Sequence, residues 1–125
     1  MAKSRRPRTV DQSKARVKTD PELARALELL RQGHLVEAER IADRAVTARS
    51  RDGAAARVKG LVEMRRGRYE EAETWLARAG KLDPRNPMTF LDRATLHRHR
   101  GRYEDMIAAA RESLRIRPGL RPAEV

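Results

Sequence analysis

The sequence contains no cysteine. Disulfides and thiolate metal sites are therefore excluded, and the composition fits a reducing, cytoplasmic setting. Aromatic residues are nearly as scarce, with one Trp, two Tyr and one Phe in 125 residues. So few rings argue against holding single-stranded nucleic acid by base stacking. With apolar residues at only 39%, they also argue against a thick globular core and for a thin stack of helices. No stretch approaches the ~18 consecutive apolar residues of a membrane-spanning helix. The basic N-terminus has no apolar run behind it and does not read as a secretory signal. Histidine occurs three times, as His34, His97 and His99. The last two lie two residues apart, hence on different faces of a helix, and no HExxH spacing accompanies them, so no metal or cofactor is expected. Neither a nucleophile–base arrangement nor a phosphate-cradling glycine loop is present, and no catalysis is expected.

Positive charge is abundant. The net charge is +11, and it is unevenly placed. Residues 1–18 hold seven Lys or Arg against one Asp, giving +6. Residues 19–52 come to −1, residues 53–86 to +3 and residues 87–120 to +3. A chain charged in this way attracts anionic partners over a distance.

A fixed period is the dominant pattern. Gly33, Gly67 and Gly101 are 34 residues apart, within Gly33-His34-Leu35-Val36-Glu37-Ala38, Gly67-Arg68-Tyr69-Glu70-Glu71-Ala72 and Gly101-Arg102-Tyr103-Glu104-Asp105-Met106. Pro84 and Pro118 keep the step, as do Ala45, Ala79 and Ser113. Three units at one step mark a repeat architecture. Each unit reads as two helices with a break at its glycine. In the middle unit, Ala72, Trp75, Leu76, Ala79 and Leu82 share one helical face, and Asp83-Pro84 stops the helix. Helices are expected over about Thr19 to Gln32, Leu35–Ala48, Gly53–Arg66, Tyr69–Lys81, Pro87–Arg100 and Tyr103–Arg115. Thr19-Asp20-Pro21-Glu22 reads as a capping box led by the threonine. Asn86 is expected to cap the fifth helix, with Pro87 at its first position. The second helix should bury Val36, Ala38, Ile41, Ala42, Ala45 and Val46. Glu70-Glu71 and Glu104-Asp105 begin second helices, where acids favour the positive end of the helix dipole.

With these residues the chain resembles the tetratricopeptide repeat proteins. The middle unit matches best, through Gly60, Gly67, Tyr69, Ala72, Ala79, Leu82 and Pro84. Mild departures are Leu35 and Ser50 in the first unit and Ala94 and Met106 in the third. The resemblance implies an all-α solenoid of three helix-turn-helix repeats, at residues 19–52, 53–86 and 87–120, with six antiparallel helices. It also implies that the first helix of each repeat lines a concave groove. Its register puts Leu23, Leu27, Leu30, Arg31 and His34 there from the first repeat. The second would supply Arg57, Leu61, Met64, Arg65 and Arg68, and the third Leu91, Thr95, Arg98, His99 and Arg102. In some members lysine and asparagine at set groove positions hold a peptide C-terminal carboxylate. Leu23 and Leu27 stand at those positions of the first repeat, so that clamp is not expected.

Two functional readings follow. One is a non-catalytic adaptor holding an acidic or amphipathic protein segment in the basic groove. The other is a protein associated with nucleic acid or ribosomes through the groove and a basic arm, Lys3, Arg5, Arg6 and Arg8. Residues 1–18 are too polar to bury surface and read as disordered. Residues 121–125 read as a short tail, and with Pro122 in it the stretch after Pro118 is too short to cover the last repeat. The exposed face of that repeat, with Ile107, Ala110, Leu114 and Ile116, is expected to meet a partner or a second copy of the chain.

Overall fold

The computed structural model describes residues 20–118; the expectations for the basic arm and the C-terminal tail lie outside them. The described residues form six helices and no strand: α1 (Pro21–Gln32), α2 (Leu35–Ala48), α3 (Gly53–Arg65), α4 (Tyr69–Leu82), α5 (Pro87–His99) and α6 (Tyr103–Ile116). The solenoid fold expected above is therefore observed.

Local sequence explains where each helix starts and stops. Pro21 occupies the first position of α1 and forces Asp20 out of the α region, so Asp20 is the cap; the threonine expected to lead a capping box lies outside the described residues. Its carboxylate accepts from the N–H groups of Glu22 at 3.0 Å and Leu23 at 3.2 Å. Asp52 does the same for α3, accepting from Ala54 at 2.9 Å, and Asn86 caps α5, accepting from Met88 at 3.0 Å. The second helices carry acids in their first turns where a side-chain cap is missing. Gly33, Gly67 and Gly101 take φ of +86°, +79° and +73°. That left-handed geometry lets the next N–H reach back into the helix, as Arg68 donates to the Glu63 carbonyl and Arg102 to that of His97, both at 2.8 Å. The chain thus reverses in two or three residues, and the helices of a pair lie side by side.

The pairs α1–α2, α3–α4 and α5–α6 stack in sequence, with α2 against α3 and α4 against α5. The first helices also touch one another, α1 with α3 and α3 with α5, and so form one layer with the second helices outside. The main core lies between the first two pairs, with Leu29, Leu30, Ile41, Val58 and Val62 among its members. A smaller cluster joins Ala72, Leu76 and Leu96, with Met64 packed against it.

Small residues set the spacing of α3 and α4. A Cβ at Gly60 would lie 2.8 Å from Cγ of Leu76, which is fully buried. Gly60→Val is therefore expected to cost about 2 kcal/mol or more, read as a lower urea midpoint. An unchanged midpoint and slope would mean that the two helices separate without penalty.

One expectation for the core requires correction. Val36 does not join the core; it is 60% exposed. It sits in the first turn of α2 at the register of Glu70 and Glu104, which also face solvent, while Leu35 packs inward in its place. His97 is buried, and its Nδ1 has no partner among the described residues. His99, two residues on, is exposed, as the helical period requires.

Candidate functional site: the face of the first helices

A groove of about 640 Å3 runs along the starts of the first helices. Leu23, Ala24 and Leu27 of α1 form one wall. Ala54, Arg57 and Val58 of α3 contribute next, followed by the turn from Asp83 to Pro87 and by Ile116 and Arg117. The apolar wall at the N-terminal end agrees with the register, although Leu23 and Leu30 are themselves largely buried. Arg85 and Arg117 bring positive charge to this groove and Asp20 and Asp83 bring negative charge.

Of the ten groove residues expected in the second and third repeats, the structure brings only Arg57 to this cavity. Its Nε lies 2.5 Å from Oδ2 of Asp92, with 19% and 15% of the two side chains exposed. Arg57 is therefore engaged within the protein. Burial pushes the Asp92 carboxyl above the ordinary carboxylate range, against the pull of Arg57. Leu61, Met64 and Leu91 are half-buried along α3 and α5, and Leu61 and Met64 pack on the core clusters. Arg65 and Arg98 are exposed, with no carboxylate partner among the described residues.

The turn end of the first helices is organised differently. Arg68 Nη1 reaches Glu39 on α2 at 3.2 Å and Glu63 at 3.1 Å, and Arg66 reaches the same Glu39 at 3.3 Å. One repeat later, Arg100 and Arg102 close on Glu73 of α4 at 2.7 and 3.3 Å. Each clasp ties a repeat to the second helix of the repeat before it. Arg68 and Arg102 thus hold the solenoid together at its edge. His99 stacks on Tyr69 with ring centroids 6.4 Å apart and planes within 3°. That contact, too, joins neighbouring repeats.

A buried ionic cluster lies beside the first clasp. Lys59 Nζ lies 2.7 Å from Asp43 and 2.6 Å from Glu63. Burial opposes the charge on Lys59, yet the two carboxylates outweigh it and hold the ammonium above its usual range. Burial likewise opposes the charge on Glu63, and Lys59 and Arg68 outweigh it, holding the carboxyl below its usual range. The register alone did not reveal this cluster. The signal was the i, i+4 spacing of Lys59 and Glu63 on α3. For the clasps it was the 34-residue step from Glu39 to Glu73 and from Arg66 to Arg100.

No group of three or more His, Asp or Glu among the described residues is placed to hold a metal ion. No described helix is long and apolar enough to cross a membrane. A family model described as tetratricopeptide repeat matches residues 23–87, just over half of the chain. No curated protein matches the chain. Repeats of this kind generally mediate protein–protein interaction and act as non-catalytic scaffolds. With helix pairs joined by left-handed glycine turns at a 34-residue step and a family model that matches just over half of its length, the chain belongs to the tetratricopeptide repeat family.

Proposed function

We propose that this chain is an adaptor whose layer of first helices takes an acidic, amphipathic segment of a partner protein. The α5–α6 pair serves as the third repeat in this reading, extending the binding layer beyond the residues that the family model matches. One observation carries the proposal. Half-buried Leu61, Met64 and Leu91 share these helices with Arg65 and Arg98, two exposed arginines with no internal carboxylate among the described residues. A planar guanidinium grips a carboxylate through two parallel hydrogen bonds, and the adjacent apolar side chains suit leucine-like side chains of the same ligand. Arg57, Arg68 and Arg102, engaged by Asp92, Glu39, Glu63 and Glu73, would hold the layer in shape and add to its field. The basic arm would speed the encounter.

The test is affinity capture with and without nuclease, using the full chain, a double charge reversal at Arg65→Glu and Arg98→Glu, and a deletion of residues 1–18. The reading expects a protein partner that survives nuclease, is lost with the double reversal at unchanged helicity, and is mostly retained with the deletion. Capture that disappears with nuclease or with the deletion, and ignores the reversal, would overturn it. That pattern would favour nucleic-acid binding through the arm.

A further inference from the structure

The outward face of α6 differs from the corresponding faces of α2 and α4. Tyr103 is 60% exposed, Ile107 44% and Leu114 37%, with Ala110 half-buried between them. These four stand at i, i+4, i+7 and i+11, the spacing of a helix seam. In the earlier repeats the register of Ile107 holds Glu39 and Glu73, the acids of the two clasps. The register of Leu114 holds Gly80 in the second repeat, where Phe90 of α5 approaches. An ordinary next repeat would therefore find no acid for its arginines and a leucine where its aromatic ring should enter. The face is built for a different occupant.

The charges beside the seam indicate which one. Glu104 and Arg111 flank it on one side, both exposed and both without an ion-pair partner among the described residues. Arg115, by contrast, is bound by Glu112 on its own helix. When two copies of α6 run antiparallel about a two-fold axis, Tyr103 faces Leu114 of the second copy and Ile107 faces its Ala110. Glu104 then falls beside Arg111 of the second copy, and the symmetry makes that pair twice. We infer that α6 is a homodimerisation helix, pairing antiparallel with α6 of a second copy through this seam and two Glu104–Arg111 ion pairs. The dimer would place the two binding layers at opposite ends of one assembly and offer two ligand sites to a divalent partner.

The pairing is tested by analytical ultracentrifugation of the full chain over a concentration series, with circular dichroism as the check on folding. The parent is expected to pass from monomer to dimer. Glu104→Arg alone and Arg111→Glu alone each set like charges against each other, and each should weaken self-association roughly tenfold. An equimolar mixture of these two variants restores both ion pairs, so heterodimer should form more tightly than either variant pairs with itself. Ile107→Glu should abolish the dimer at unchanged helicity. A parent that remains monomeric throughout, or a mixture of charge variants that shows no preference for heterodimer, would overturn the inference.

Discussion

Ala72→Arg is expected to lower stability by more than about 4 kcal/mol and to leave the chain largely unfolded near room temperature. Ala72 is fully buried where α4 meets Leu96 of α5 and Met64 of α3. An arginine there would force the helices apart and bury a guanidinium among apolar side chains. The chain has little reserve with which to absorb such a loss, because each repeat buries its face only against its neighbours. Thermal unfolding followed by circular dichroism reads the effect. A melting curve like the parent's would show that the α4 face toward α5 is not packed as described.

The second large effect is expected from Arg57→Met. This change removes the partner of Asp92 and leaves a carboxylate with 15% of its side chain exposed without its counter-charge. Breaking such a pair from one side costs about 3 kcal/mol near neutral pH. The pH dependence identifies the cause. Burial already raises the Asp92 carboxyl above its unfolded value, and removing Arg57 takes away the interactions that lower it. A carboxyl raised in the folded state binds its proton more tightly folded than unfolded. Its contribution therefore favours folding below that window and is lost as pH rises through it. The deficit of the variant relative to the parent should thus be largest near about pH 7 and shrink toward about pH 4.5. Urea unfolding of both proteins at the two pH values gives the comparison. An equal deficit at both would mean that Arg57 contributes by packing and not by compensating Asp92.

Much of the architecture was legible in the sequence because its signals are local. Glycine at a 34-residue step fixes the turns through positive φ, and Asn86-Pro87 fixes the start of α5 through capping and a missing N–H. The cap of α1 follows from the proline after Asp20, which holds Asp20 outside the α region. Val36 was misread because apolar character at the start of an outer helix does not require burial. The candidate face was only partly legible. Register assigns a residue to a helix face, but it does not show where a long side chain ends. Arg57, Arg68 and Arg102 were all counted as groove cations, and each closes on a carboxylate at least 29 residues away in sequence. Those partners lie on other helices, and among the described residues Arg65 and Arg98 remain as the arginines expected in the second and third repeats of the groove that have no carboxylate partner.

The clasps between repeats also bear on how such a chain lengthens. Glu39 and Glu73 act as sockets, and the arginine pairs at 66/68 and 100/102 act as plugs, all at one step. The second repeat carries both a plug and a socket. A tandem duplication of residues 53–86 would therefore arrive with compatible joints at its two ends, and the array could grow from the inside without inventing a new junction. The α5–α6 pair carries a plug and, with Ile107 in the socket's place, no receptacle. A copy of the α5–α6 pattern would instead leave the next pair of arginines without a carboxylate, so growth by duplication favours the pattern of residues 53–86.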